Sequence, residues 1–232
     1  QNIFLTKNYK SIFYKLNNGY DPDCIWLSGI IPKKLFESSE LKNKQLKIVG
    51  KLNNIRTRKK IKNVDNNTCL VIPEGIYSEC LKLFNFSYQC SLLFKQLKFI
   101  WRVHPVINFK KVLKSLNLTN ESLPKNIKIS KNKNITDDFN HSKFVLYRGS
   151  YAVINAIKHK LIPIYLNIND KENIDVLKLY KKRKNYVNTQ HQLFRIMYKK
   201  FKFNKKEFND MNKFILQNEN LVKEKKIMDL LR

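Results

Sequence analysis

Residues 143–166 read as a strand, a tight turn, a short helix and a second strand, and no other stretch restricts the fold of this chain as much. Phe144–Tyr147 is an apolar run suited to a buried parallel strand, and Leu161–Leu166 is another. Gly149 permits a sharp turn between the first strand and a helix, and Ser150 stands where a helix N-cap would, ahead of Ala152, Val153, Ala156 and Ile157. A helix that begins there turns free N–H groups and a positive dipole end toward the rim of the sheet. With Arg148 beside it, the loop suits an anion the size of a phosphate.

Other apolar runs recur before this unit, at Cys24–Ser28, Leu46–Val49, Cys69–Pro73, Phe99–Val103 and Ile127–Ser130, with loops or helical spacing between them. Such alternation predicts a parallel α/β architecture. Tyr77–Leu97 repeats apolar residues at intervals of three and four and predicts a long helix; Asn108–Leu116 and Ile135–Ser142 predict two shorter ones. Ile174–Lys182 and Gln190–Lys200 are also expected to be helical, as is 205–232, where Phe208, Met211, Phe214 or Ile215, Leu221 or Val222 and Met228 share a face. Residues 51–67 are polar and without period, which marks a linker. The expected organisation is a partial N-terminal α/β portion (1–50), that linker, a Rossmann-like domain with helices on both faces of a parallel sheet (68–200) and an amphipathic C-terminal helix (201–232).

The net charge of +28 would ordinarily suggest nucleic acid or anionic lipid as a partner. Lysine outnumbers arginine 39 to 7, however, and alanine occurs only at 152 and 156, the pattern of a compositional bias toward AT-rich codons. Nucleic-acid readers rely more on arginine for bidentate contacts. The lysines are spread along the chain, with modest clusters at Arg56–Lys62, Lys181–Lys184 and Lys199–Lys206. A nucleic-acid partner, with Tyr180, Tyr186 and Tyr198 as stacking surfaces, is therefore the second reading. Cys24, Cys69, Cys80 and Cys90 form no CxxC pair and sit among apolar residues, as free thiols of a reducing compartment do. With no stretch long and apolar enough to span a bilayer, a cytoplasmic protein is expected, with peripheral membrane contact through the basic surface as an option.

In a parallel βαβ order three loops meet at one sheet edge: Pro73-Glu74-Gly75, His104-Pro105 and Arg148-Gly149-Ser150. A carboxylate can take a proton from a hydroxyl, an imidazole can hydrogen-bond a departing phosphate, and a helix N-terminus can hold it. Together they have the parts for moving a group off a nucleotide. His141, His159 and His191 have no matched partner at metal-ligand spacing, and Asp21-Pro22-Asp23 and Asp137-Asp138 read as a turn and a helix start, so no metal or cofactor is expected. The dinucleotide and P-loop glycine motifs are absent.

Residues 97–105 (Leu-Lys-Phe-Ile-Trp-Arg-Val-His-Pro) and 134–152 (Asn-Ile-Thr-Asp-Asp-Phe-Asn-His-Ser-Lys-Phe-Val-Leu-Tyr-Arg-Gly-Ser-Tyr-Ala) resemble the donor-binding half of GT-B glycosyltransferases. More narrowly, they are similar to bacterial sialyltransferase-like and capsule or surface-polysaccharide enzymes that use CMP-linked sugars. The resemblance spans roughly 68–170 and implies a metal-independent transfer of sugar from a nucleotide donor to a glycan or lipid-linked glycan acceptor. It implies donor contacts for His104, Pro105 and Ser150. Trp26-Leu27-Ser28-Gly29 and Lys47-Ile48-Val49-Gly50 look like the end of a GT-B N-terminal domain. The acidic motif of that family is a pair of acids before glycine, whereas here Pro73 stands first and Glu74 alone remains. The candidate catalytic residues are thus Glu74 and His104, and the candidate donor-binding residues Gly75, Pro105, Arg148, Gly149, Ser150 and Tyr151.

Overall fold

A computed structural model describes residues 20–51, 67–168, 174–182, 185–198 and 205–220. The linker expected at 51–67 falls almost wholly outside them, as do the Arg56–Lys62 cluster and the end of the chain beyond Asn220. The chain divides into two compact units, one taking residues up to Arg56 and from Asn209 onward, the other taking Thr57–Phe208.

The larger unit is a six-stranded sheet whose paired neighbours all run parallel. Its strands are β3 (Thr68–Pro73), β4 (Lys98–Trp101), β5 (Ile127–Ile129), β6 (Phe144–Arg148), β7 (Ile162–Leu166) and β8 (Asn185–Val187). They lie in the order β5-β4-β3-β6-β7-β8. Counted within the unit this is 3-2-1-4-5-6, the order of a doubly wound nucleotide-binding sheet, in which the chain reverses direction between its first and fourth strands. Here that switch point separates β3 from β6. Right-handed crossovers on its two sides put their helices on opposite faces of the sheet.

The alternation within the strands shows the two faces directly. Cys69 and Val71 of β3, Phe99 and Trp101 of β4, Phe144 and Leu146 of β6, and Ile162, Ile164 and Leu166 of β7 are buried in one cluster. Three helices cover it: α2 (Tyr77–Leu93), α3 (Phe109–Ser115) and α6 (Gln190–Tyr198). Phe84 of α2 stacks on Trp101 at 4.6 Å between ring centroids. The intervening residues, among them Leu70, Ile72, Val145, Tyr147 and Tyr165, are equally buried on the other face. That face carries α4 (Ile135–Asn140) and α5 (Ala152–Lys158), which meet where the Phe139 ring lies 5.0 Å from that of His159. The central strands β3, β6 and β7 are buried at every position, which is why they read in the sequence as continuous apolar runs.

One expected helix is absent, and one strand was not expected. Ile174–Lys182 is a pair of turns and not a helix: Asp175 is fully buried, its carboxylate accepts the Leu177 N–H at 2.8 Å, and its carbonyl accepts from Lys178 N at 3.0 Å. A carboxylate that bonds its own backbone two residues on closes a turn in preference to a helix. The Asn185–Val187 edge strand had no apolar run long enough to reveal it.

In the smaller unit β1 (Cys24–Leu27) and β2 (Gln45–Ile48) pair in parallel around α1 (Ile30–Glu37), one βαβ step. Pro32 in the first turn of α1 is tolerated because the amides there have no intrahelical partner. The later part of α7 (Lys205–Asn218) belongs to the same unit and buries Met211, Phe214 and Ile215. Its end is bonded to the turn before α1: Ser28 Oγ donates to the Asn218 carbonyl at 2.6 Å, and Asn220 N donates to the Ser28 carbonyl at 2.7 Å. The Lys51 ammonium meets the Glu219 carboxylate at 2.9 Å. Gly29 allows this approach, since a Cβ there would stand 2.6–2.7 Å from the Asn218 backbone and closer still to the Gln217 carbonyl. Backbone cannot yield as a flexible side chain can. Gly29→Ala is expected to cost about 1–3 kcal/mol as an overpacked contact, and hydrogen exchange should show the added opening at 211–218 and 24–29.

Candidate functional site

The loops after β3, β4 and β6 converge on the C-terminal rim of the sheet at its switch point. Residue by residue, the contacts are close. A Cβ on Gly75, at the end of the first loop, would lie 3.1–3.2 Å from Cε1 and Nδ1 of His104, in the second. A Cβ on Gly149, in the third loop, would collide with both carboxylate oxygens and Cδ of Glu74. Gly149 also has φ of +72°, a conformation side chains resist at about 1–2 kcal/mol. Two glycines therefore let Glu74, His104 and the β6–α5 loop share one small space.

Glu74 is half-buried, and its Oε1 has no hydrogen-bond partner. Burial first, then the neighbouring Glu79 carboxylate, raises its proton affinity above that of an ordinary glutamate, while Arg148 pulls it part of the way back. Its carbonyl accepts from the buried Cys80 thiol at 3.1 Å. Burial, followed by the Glu74 and Glu79 charges, pushes that thiol up to about 12, so it stays protonated and inert. The His104 ring is half-buried, and its Nδ1 accepts a long bond from Val106 N at 3.4 Å. A neutral imidazole that accepts at Nδ1 carries its proton on Nε2, and that N–H is the donor available to a ligand. Pro105 is exposed beside it.

Arg148 is not where the sequence reading put it. Its side chain is buried, 1 % exposed, and its guanidinium pairs through Nε with Glu79 Oε2 and donates from Nη1 to the Leu166 carbonyl at 3.2 Å. The Tyr165 hydroxyl lies 3.5 Å away. A residue at the end of a strand with both faces covered points into a layer, and the fixed charge is used there. Ser150 is also displaced from its expected role. The residue at the helix boundary is Tyr151, without a side-chain cap, and the Val153 and Ile154 N–H groups donate to the Ser150 and Tyr151 carbonyls at 3.3 and 3.1 Å. Ser150 itself is buried.

Three polar clusters, each built around a buried carboxylate, support this part of the sheet. Arg102, just after β4, meets Asp138 of α4 at 2.8 Å and donates to the Asn132 and Lys133 carbonyls at 2.6 and 3.1 Å. Ser130 Oγ lies 2.7 Å from both Asp138 oxygens, and Asn132 Nδ2 donates to one of them at 2.7 Å. This network fixes the loop after β5 beside the one carrying His104. The second cluster is Glu79 with Arg148, and the Lys82 ammonium also reaches Glu79, at 2.8 Å. In the third, the Tyr147 and Tyr186 hydroxyls donate to Asp175 at 2.7 and 3.1 Å. Of the three tyrosines named as stacking surfaces, Tyr180 is buried, whereas Tyr186 and Tyr198 stay exposed. The pairing of these charges was not read from the sequence, yet for Glu79 a signal existed. Glu79 occupies a position on the apolar stripe of α2, with Cys80, Leu83, Phe84 and Ser87, and an acid there needs a cation.

The parallel sheet with helices on both faces, reversing at β3 and β6, is the fold of the GT-B glycosyltransferases. Among solved structures, the glycotransferase of kitacinnamycin superposes with a TM-score of 0.58 at 10 % identity, over 90 % of this chain and 54 % of its own. Phytolacca americana UGT2, solved with UDP-2fluoro-glucose and pterostilbene, gives 0.54 at 10 % identity, over 90 % of this chain and 54 % of its own. The pneumococcal O-GlcNAc transferase GtfA, in complex with UDP and GlcNAc, gives 0.52 at 9 % identity, over 97 % and 46 %. The chain thus spans about half the length of these structures. No family model and no curated protein matches its sequence. Among the described residues no helix is long and apolar enough to cross a membrane.

Proposed function

We propose that this chain carries the donor site of a nucleotide-sugar-dependent glycosyltransferase. The carrying observation is the convergence of Glu74, His104 and Gly149 at the switch point of a doubly wound sheet, the place where such folds bind nucleotides. A fold alone hosts many activities, so the reading rests on these residues. The acceptor hydroxyl attacks the anomeric carbon, its proton passes to Glu74, and the bond from that carbon to the phosphate oxygen breaks with its electron pair leaving on the nucleotide. His104 Nε2–H donates a hydrogen bond to that oxygen as its charge grows. Gly75, Pro105, Tyr151 and the backbone at Gly149 and Ser150 complete the donor contacts, with Arg148 acting from below through Glu79.

The resemblance of the His104-Pro105 segment to enzymes of CMP-linked sugars makes a sugar of the sialic-acid kind and surface-polysaccharide synthesis the first candidate; the UDP held by two similar structures makes a UDP-linked donor the second. Metal independence and a cytoplasmic place at the membrane surface belong to the same proposal. The test is calorimetric titration with CMP, CDP, UDP, GDP and a short single-stranded oligonucleotide, at low and physiological salt and with EDTA present. Saturable binding of one nucleotide that survives salt and EDTA, and weakens at least tenfold in His104→Ala, is the expected result. Oligonucleotide binding alone, collapsing with salt, would make the lysines the function instead.

A further inference from the structure

The Arg148 guanidinium is held by one carboxylate, while a second carboxylate lies against the next residue of the chain. Arg148 pairs with Glu79 from α2 and is anchored below by the Leu166 carbonyl. Glu74, one turn of chain before that helix, rests against Gly149, the residue next to Arg148, with Oε1 buried and unpartnered. A buried carboxylate oxygen with no partner beside an arginine is an unexpected arrangement, because pairing would relieve its lost hydration. It persists here because the arginine is taken.

We propose that Glu79 is a positioning residue for Glu74: by holding Arg148 down in the sheet it keeps the Glu74 carboxyl unpaired at the rim, free to accept a proton from a hydroxyl. This rests on the role given to Glu74 above and adds what makes that role achievable. A carboxylate locked to an arginine is a poor base at neutral pH, whereas one that is part-desolvated and facing a second carboxylate binds a proton strongly enough to take one. The charged and titratable groups around Glu74 agree with this. From α2 come Glu79 and the protonated Cys80, with the Lys82 ammonium 2.8 Å from Glu79. From β6 comes Arg148, already paired; from β7, Tyr165, whose hydroxyl adjoins that arginine; and from the β4 loop, the His104 ring, set against Gly75.

The experiment follows the Glu74 carboxyl directly, by carbon NMR titration of the apo protein with labelled glutamate, assigned through Glu74→Gln. In Glu79→Gln, which keeps the shape and an acceptor oxygen, Arg148 becomes available and the Glu74 midpoint is expected to move to lower pH. Glu79→Asp, which keeps the charge, should leave it closer to the parent value. The acid limb of the kcat profile should move down with Glu79→Gln, and kcat should fall more than KM changes. An unmoved or raised midpoint in a folded Glu79→Gln protein would overturn the proposal. The midpoint is read without substrate, so it stands or falls separately from the transferase reading, which the loss of turnover in Glu74→Gln tests.

Discussion

Arg148→Met is expected to lower the stability of the protein by about 3–5 kcal/mol, toward the lower end of that range, measured as the shift of its denaturant midpoint at constant slope. The arginine is almost wholly buried, and its removal leaves the Glu79 carboxylate, 8 % exposed, without its main counter-ion. Lys82 stays within 2.8 Å of Glu79 and softens the loss, but its side chain is 36 % exposed and its charge is shared with water. Replacing both members, as in Glu79→Leu with Arg148→Met, is expected to recover most of the stability, because two apolar side chains have no charge to desolvate. A double-mutant cycle then yields the coupling. Had Arg148 been a phosphate ligand facing solvent, its loss would change ligand affinity and leave stability nearly untouched.

That distinction shows where sequence reading reached and where it stopped. The order of strands and crossover helices was legible because burial on both faces writes itself as unbroken apolar runs, such as Thr68–Pro73 and Ile162–Leu166. From that order alone the meeting of the Glu74, His104 and Gly149 loops followed, since in a parallel sheet all three lie at strand ends of one sense. The direction of a polar side chain at a strand end was not legible. Arg148 and Ser150 are adjacent to a turn that suits a ligand, and nothing local says that the first turns inward toward an acid 69 residues earlier in the chain. Asp175 was hidden for a similar reason: its partners Tyr147 and Tyr186 come from other elements, and their pull overrides helical spacing at 174–182. The short helix α1 carried Pro32 where a helix start accepts it, yet eight residues with one proline give little period to read. Long-range charge pairing and short elements are where tertiary contacts decide.

Glu74→Gln is expected to reduce kcat by about 10²–10⁴-fold if the residue takes the acceptor's proton, with donor affinity changed little, because the amide fills the same space beside Gly149 but cannot accept the proton. The same substitution has a second, opposite consequence. A carboxyl whose proton affinity is raised by folding binds its proton more tightly in the native than in the unfolded state. Stability is then greatest below the unfolded-state pKa, declines as pH rises through the interval up to the raised native value, and stays reduced above it. At neutral pH the Glu74 carboxylate therefore weakens the fold, and a glutamine in its place, which is never charged, removes that penalty. The melting temperature of Glu74→Gln should exceed that of the parent at pH 7 and converge with it in mild acid, while turnover falls. Lower activity with higher stability in one variant is what a group kept strained for chemistry produces. A structural acid, satisfied by its surroundings, would give the reverse on stability and nothing on turnover. The two measurements together decide whether the unpartnered oxygen at the rim of this sheet is there for the fold or for the reaction.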